Sequence, residues 1–168
     1  MTEPTASSPP VLLAGSRGCV WLGSDGTIEE FSPEAARARV DFEMPVVCHA
    51  RAVARRLGQD QLVALDVLEL FAFVWPARFC LPTPRGLAEV LDLDPPATPA
   101  DMAATLLDAA DSLLLELKLR TRDPSALPIA RVMRDCSWPW AARVLTSLGH
   151  PDDGPLGHAL RRRRQIVR

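Results

Sequence analysis

Short apolar runs separated by turn residues occupy the first part of the chain, and helical patterns dominate the rest. The runs at 11–14, 19–22 and 27–31 are separated by "SRG" and "GSDG", a spacing typical of antiparallel strands joined by tight turns. Two further apolar runs, at 45–48 and 62–65, alternate with helical segments. The pattern therefore predicts a three-stranded meander followed by two strands that are connected through helices.

Four helix starts carry a capping side chain that is followed by a proline or, three residues on, by an acid. Such side chains accept hydrogen bonds from the free N–H groups of the first helical turn. A further helix over 50–57 is predicted to stop at a glycine, Gly58. The segment "VLELFAFVW" is apolar nearly all round, which predicts a central, buried helix. The four capping residues are Ser32, Asp66, Thr83 and Thr98.

The longest helical pattern begins at Thr98 and has two faces of different character. Two shorter helices are predicted after it, over 125–135 and 138–148. The apolar residues of the long helix recur every three or four positions and predict a core-facing stripe of Met102, Leu106, Ala110, Leu113 and Leu117. The opposite, polar face is predicted to carry Asp101, Thr105, Asp108 and Ser112.

The order of these elements predicts the fold class. Three antiparallel strands followed by α/β crossovers describe an α/β protein with a ribonuclease-H-like mixed sheet, helices on both faces and extra C-terminal helices. The domain is expected to span 11–148. Residues 1–10 are expected to form a disordered leader, and 149–168 a flexible, Arg-rich tail or the start of a linker.

Composition limits the class of protein. The 168 residues are 48% hydrophobic and 24% charged, which is a globular composition, and the net charge of −2 gives no general signal for a partner. The leader "MTEPTASSPP" lacks the basic and apolar regions of a signal peptide. The longest apolar run, near 70–75, is far shorter than the roughly 20 residues of a membrane span. A soluble, cytoplasmic protein with no membrane partner is expected.

The four cysteines are far apart in the sequence. None forms a C-x-x-C pair, which zinc and redox motifs use to bring two thiolates to one centre. They are therefore interpreted as reduced, mostly buried thiols, and no metal site is predicted from them. They are Cys19, Cys48, Cys80 and Cys136.

Several stretches between positions 46 and 117 carry a recognisable set of motifs. They read "VVCHARAVARRLG", "ALDVLELFAFVWP", "LPTPRGLAEVLDL" and "AATLLDAADSLLLEL". This set resembles the proofreading-type (DnaQ-like, DEDDh) exonuclease family, whose motifs are H-N-A-x-x-D, D-[TS]-L-x-L-[AS], L-x-x-L-A-x-x-L-G and H-x-A-x-x-D-A. The stretch "DVLELFAFVWPARFCLPTPRGLAEVL" is similar to a narrower group, the N-terminal region of DinG-type ATP-dependent DNA helicases of alphaproteobacteria.

The resemblance implies a catalytic site that has lost its acids. The D-x-E motif of the first strand should fall within "VLLAGSRG", which contains no acid. His49 matches the family histidine, but Ala50 replaces the asparagine after it and Ala54 replaces the metal-binding acid. The general-base histidine falls at Ala103, and only the final acid, Asp108, remains. Since one carboxylate cannot hold two magnesium ions, His49 and Asp108 are vestigial, and neither catalysis nor a metal site is expected.

Ordinary structural roles are favoured for the two vestigial residues. Asp108 is interpreted first as a solvated residue on a helix face, because such charges are mostly exposed. His49 is interpreted first as a residue that hydrogen-bonds the backbone at a strand–helix junction.

Three arginines are candidates for contacts with nucleic acid. Arg51, Arg55 and Arg56 lie on one predicted helix, where they could contact phosphates or form an ordinary solvated face. The run "RRRR" at 161–164 is a stronger basic cluster within the predicted tail.

No nucleotide-hydrolysis motif accompanies these residues. The sequence contains no G-x-x-x-x-G-K-[ST], so no cofactor is expected in this chain, and ATP and magnesium are implied only for a full-length helicase.

These observations predict an accessory, catalytically inactive exonuclease-like domain of a DinG-type helicase. Its expected partners are DNA and the helicase motor domains in cis. One alternative is a stand-alone protein-interaction domain that uses the apolar segment "LFAFVWPARF". The other is an active exonuclease whose acids are relocated to Asp101, Asp111 or Glu69.

Overall fold

The computed structural model describes residues 8–16, 18–119 and 124–151. Within these ranges the chain forms a five-stranded sheet and seven α-helices. The strands are β1 (Val11–Ala14), β2 (Cys19–Leu22), β3 (Ile28–Phe31), β4 (Val46–Val47) and β5 (Leu65–Asp66). The helices are α1 (Pro33–Val40), α2 (Ala50–Arg56), α3 (Val67–Val74), α4 (Pro84–Leu91), α5 (Pro99–Leu119), α6 (Ala126–Asp135) and α7 (Ala141–Ser147).

The sheet is mixed and has the order β3-β2-β1-β4-β5. β1 pairs antiparallel with β2, and β2 with β3, so the meander forms one half of the sheet. β4 and β5 extend the other half in parallel with β1, with Val46 opposite both Val11 and Leu65. The predicted α/β class with a mixed sheet, three antiparallel strands and α/β crossovers is thus confirmed.

Both faces of the central strands are buried. Successive residues of a strand point to opposite faces, and Val11 and Leu12 are both fully buried. On the face of Leu12, the core includes Trp21 from β2, Ala36 from α1 and Val53 from α2. Burial of Val11 on the other face means that this side is covered as well.

The predicted helix caps are confirmed. Ser32 Oγ accepts a hydrogen bond from Ala35 N, and Thr83 Oγ1 accepts one from Gly86 N at 3.0 Å. At the start of α5, Thr98 Oγ1 accepts from Asp101 N, and an Asp101 carboxylate oxygen accepts in return from Thr98 N. This reciprocal pair is a capping box, which satisfies N–H groups that a helix start leaves free.

Some expectations differ in detail from the structure. The fifth strand covers Leu65–Asp66 rather than 62–65, and Val63 is 66% exposed. Gly58 follows α2 with φ +66°, as its predicted role in stopping the helix requires. α3 is buried through Val67, Leu70 and Phe71 but exposes other residues, so it is only partly the buried helix that was expected.

The predicted polar face of α5 is wrong at Thr105. Its side chain is only 5% exposed, whereas Asp101 and Asp108 are exposed. The Thr105 hydroxyl donates a 2.8 Å hydrogen bond to the Asp101 carbonyl oxygen, one helical turn earlier. A threonine can therefore occupy a buried helix position, because it satisfies its own hydroxyl within the helix.

The chain divides into two compact units, Met1–Ser112 and Leu113–Arg168. α5 begins in the first unit and ends in the second. The second unit contains α6 and α7, and Trp140 is fully buried there. Most of the predicted leader and tail, including "RRRR" at 161–164, lies outside the described residues, so the domain limits of 11–148 stay a prediction.

Within the described ranges, none of the helices combines the length and the apolar character that crossing a membrane requires.

Candidate functional site

A cavity of about 810 Å³ lies in the first unit at one edge of the sheet. It is lined by the carboxyl ends of β1 and β3, by the first residues of β2, and by the chain that follows β4. Residues from α2 and from the starts of α4 and α5 complete the lining. Ligands of open α/β sheets bind outside the carboxyl ends of the strands, which makes this cavity the candidate site.

His49 stands between β4 and α2 and lines the cavity. Its backbone is extended, and its carbonyl oxygen accepts the first hydrogen bonds of α2, from Ala52 N and Val53 N at 3.1 Å each. The imidazole makes no capping hydrogen bond and is half-buried. His49 thus begins the helix with its backbone, while its side chain borders the cavity.

Asp66 lies at the end of β5 and joins two helix starts. Its carboxylate accepts hydrogen bonds from Leu68 N at 2.9 Å and Glu69 N at 3.3 Å, which caps α3. It also accepts a 2.6 Å hydrogen bond from Ala50 N at the start of α2. This second contact crosses from one strand–helix junction to the next, and no pattern in the sequence indicated it.

The electrostatics of Asp66 reflect its burial, since only 3% of the residue is exposed. Burial raises the pKa of the Asp66 carboxyl above its ordinary value, against the lowering by hydrogen bonds from Ala50, Glu69 and Leu68 and by the nearby His49. A buried carboxyl that accepts hydrogen bonds from three backbone N–H groups is a structural element that joins the starts of α2 and α3.

Arg56 brings a positive charge to the cavity. Its Nη1 donates a 2.7 Å hydrogen bond to the carbonyl oxygen of Ala14, the last residue of β1. Ala14 belongs to the segment "VLLAGSRG", where the resemblance expects the two acids of the D-x-E motif. Burial raises the pKa of the neighbouring Cys19 thiol, and the Arg56 charge opposes that rise. A guanidinium is therefore fixed where acids were expected.

The three arginines of α2 do not share one environment. All three are exposed, but Arg56 also lines the cavity, whereas Arg51 and Arg55 are not part of its lining. Any phosphate contact by Arg51 and Arg55 would take place on the outer face of the helix. The predicted trio is thus divided between a cavity and an open surface.

The other positions matched to the exonuclease motifs lie away from the cavity. Ala54 and Ala103 are fully buried, and Asp108 is exposed. None of the three lines the cavity; their sequence neighbours Val53 and Met102 do. The structure therefore does not bring Asp108 together with His49.

The cavity residues do not fit a pair of divalent ions. A two-metal site needs several carboxylates, and Glu30 is the one acid among the described residues of the lining. Among the residues that the structure describes, no group of three or more His, Cys, Asp or Glu side chains is arranged to hold a metal. The proposed relocated acids are also elsewhere: Glu69, Asp101 and Asp111 are exposed and do not line the cavity.

The cysteine beside His49 is not a reactive nucleophile. Cys48 lines the cavity, and burial, with the nearby Asp66 and Cys80, raises the pKa of its thiol to about 12. A thiol of this kind stays protonated near neutral pH. All four cysteines are free, as predicted, but the expectation that they are mostly buried is wrong: Cys19 is buried, Cys48 and Cys80 are half-buried, and Cys136 is exposed.

Several cavity residues carried no recognisable sequence signal. Ser16 and Glu30 enter the lining because hairpin turns and strand ends meet at this edge, and Met102 because α5 starts beside it. The position of the cavity had one indirect signal in the sequence, the ends of the predicted strands β1 and β4. Residues that follow parallel strands converge at one edge of the sheet.

Comparison with protein-family models found no matching family. Comparisons with curated proteins and with solved structures found no match either. The geometry of the cavity therefore carries the functional conclusion.

Proposed function

We propose that this chain is a catalytically inactive domain with a ribonuclease-H-like, exonuclease-type fold. It serves as an accessory module that engages DNA for a DinG-type ATP-dependent helicase. The observation that carries this proposal is the cavity at the carboxyl ends of β1 and β4, which keeps a histidine but contains arginine where the motifs require acids.

The sheet supports the fold part of the proposal. Three antiparallel strands are followed by two parallel strands reached through α1 and α2, and the order is β3-β2-β1-β4-β5. The crossover through α1 ends at β4, which pairs in parallel with β1, so the carboxyl ends of β1 and β4 lie next to each other; the crossover through α2 ends at β5, which pairs with β4. In a nuclease of this fold, that edge is where the catalytic acids would have to converge.

The charged residues of the cavity and of α2 support the proposal that the domain is inactive and engages DNA. Glu30 alone cannot hold two divalent ions, so cleavage by the two-metal route has no ligands here. Arg51 and Arg55 are exposed on α2, and Arg56 lies at the cavity beside them. Exposed arginines on one helix can bind phosphates through an interaction that weakens as salt displaces it.

Binding and digestion of labelled single-stranded DNA by the purified full chain test this function. Fluorescence anisotropy at low ionic strength is expected to show binding that weakens with added salt. Incubation with manganese is expected to leave the strand intact. Degradation of the strand would favour the active exonuclease with relocated acids, and absence of binding at low ionic strength would remove the DNA-engaging role.

The helicase context has its own test. A P-loop motif encoded downstream of Arg168 in the same reading frame would support fusion to a motor, because such a loop binds the nucleotide triphosphate. A stop codon at that point would count against a motor in cis.

A second candidate function is a protein-interaction domain. Phe79 is 81% exposed and Leu81 is 52% exposed, both in the segment between α3 and α4. Large apolar side chains at the surface favour contact with a partner. Under this function the Phe79→Ser variant would lose the partner, while DNA binding would be absent from the wild-type chain as well.

A further inference from the structure

The disagreement between the cavity residues and a two-metal site suggests a different way of binding phosphate. We propose that the Arg56 guanidinium binds a nucleotide phosphate in this cavity without any metal ion, while the apolar lining receives the base. This inference rests on the proposed DNA-engaging function and specifies the site and the chemistry of the contact.

The geometry at Arg56 supports a prepared phosphate site. The 2.7 Å hydrogen bond from Nη1 to the Ala14 carbonyl joins the end of α2 to the end of β1. This bond restrains a side chain that would otherwise lose much rotational freedom on binding. A guanidinium has five N–H donors in a planar fork, so one backbone contact leaves others available for phosphate oxygens.

The size and lining of the cavity suit a nucleotide. Pockets that hold small ligands measure about 300–1,000 Å³, and this cavity measures about 810 Å³. Val20, Phe31 and Met102 are half-buried and contribute apolar surface to the lining. Phe31 is the aromatic side chain among them, and bases stack on aromatic rings with little sequence preference because every base presents a flat face.

The charge balance of the lining makes the inference specific. Among the lining residues that the structure describes, Arg56 and Glu30 are the fully charged side chains and His49 is the imidazole. Glu30 is exposed and opposes an anion, so its removal is expected to strengthen phosphate binding. Removal of the Arg56 charge is expected to weaken it. Removing these two charges should therefore change phosphate binding in opposite directions at the same site.

The test uses the full chain in the presence of EDTA, with a labelled short oligo-dT strand as the probe. Thymidine monophosphate and thymidine are added as competitors, which separates the phosphate contribution from that of the base. Competition by the monophosphate at much lower concentration than by thymidine is expected. If thymidine monophosphate does not compete but Arg56→Gln weakens binding of the strand, the site binds a phosphate within a strand. If thymidine monophosphate competes, a single nucleotide is enough for binding.

The matched variants are Arg56→Gln and, one residue earlier on the same helix, Arg55→Gln. Because a charge-assisted hydrogen bond to phosphate is strong, Arg56→Gln is expected to weaken binding roughly tenfold or more, while Arg55→Gln, which removes an exposed charge outside the cavity, is expected to weaken it clearly less. Glu30→Gln is expected to tighten binding and keeps the test decisive if Arg56→Gln fails to fold. Circular dichroism checks that each variant is folded.

Three results would overturn the inference. They are loss of binding in EDTA, equal weakening by Arg55→Gln and Arg56→Gln, and binding unaffected by both Arg56→Gln and Glu30→Gln. If Arg55→Gln and Arg56→Gln weaken binding equally, or if the variants leave it unchanged, the chain still binds DNA. The proposed function then stands, and only the assignment of the phosphate site to the cavity fails. Absence of any DNA binding at low ionic strength removes both.

Discussion

Asp66 and Asp101 both hold the start of a helix by accepting hydrogen bonds from backbone N–H groups, yet their surroundings are opposite. Asp66 is buried between β5 and α3 and accepts bonds from two different helix starts. Asp101 is exposed and accepts bonds from Ala97 and Thr98 at the start of its own helix, α5. One junction is part of the tertiary structure, and the other is a local feature of one helix.

The difference also reverses the electrostatics. Burial raises the pKa of Asp66 in spite of its hydrogen bonds, because a charge removed from water is costly. At Asp101, hydrogen bonds from the Thr98 backbone and side chain hold the pKa of the carboxyl below its ordinary value. The same kind of residue, an aspartate that caps a helix, therefore favours the folded state in opposite ranges of pH.

The largest expected effect is at the buried junction. Asp66→Ala removes the acceptor of three backbone N–H groups and leaves Ala50 N without its 2.6 Å partner. We expect a loss of about 3 kcal/mol in the free energy of unfolding, since unsatisfied buried donors are expensive. Urea denaturation measures this loss. Asp66→Asn is the matched control: its one oxygen can accept either from Ala50 N or from the N–H groups of Leu68 and Glu69, so it should lose less than Asp66→Ala.

A smaller effect is expected at the local junction. Thr98→Ala removes the hydroxyl that accepts from Asp101 N at 3.1 Å but leaves water free to replace it. The expected loss is about 1 kcal/mol in the free energy of unfolding, a usual value for a helix cap. Thr83→Ala at α4 provides a second cap for comparison. A loss at Thr98 as large as that of Asp66→Ala would contradict the contrast between buried and exposed junctions.

The third prediction concerns the pH dependence of stability. The folded pKa of Asp66 is above the ordinary 3.8, so its contribution is complete below pH 3.8 and is lost as pH rises through the folded pKa. The folded pKa of Asp101 is below 3.8, so its contribution is present above pH 3.8 and is lost as pH falls through the folded pKa. Urea denaturation at a series of acidic pH values measures both contributions when the wild type is compared with Asp66→Asn and with Asp101→Asn.

Relative to Asp66→Asn, the wild type should lose stability as pH rises through this range. Relative to Asp101→Asn, it should gain stability. If the stability of the wild type changed with pH in the same direction relative to both variants, burial would not be the dominant influence on the pKa of Asp66.

The local interactions were predictable from the sequence because they involve residues close together in the chain. The caps at Ser32, Thr83 and Thr98 use side chains and N–H groups three residues apart. The meander followed from apolar runs bounded by turn residues, and β1–β3 cover almost the predicted ranges. Thr105 was placed on the wrong face because a threonine that bonds its own helix is compatible with burial, and residue type alone does not reveal that bond.

The candidate site was predictable only in part. His49 follows a buried strand, which is a position that sequence alone can identify, and it does line the cavity. Arg56 was grouped with Arg51 and Arg55, because their spacing on a helix carries no information about which of them faces a neighbouring strand. Its contact with Ala14 spans 42 positions. Asp108 matched a motif in sequence but is exposed and does not line the cavity.

The sequence by itself determined the elements, their order and the absence of acids from "VLLAGSRG", since these depend on residue type and on contacts within a few positions. Only the tertiary structure decided which residues surround the cavity, because strand pairing brings distant segments to one edge of the sheet. It also decided that Asp66 serves two helices and that Arg56 is anchored at the end of β1. Burial and long-range hydrogen bonds arise from packing, and a linear pattern does not encode them position by position.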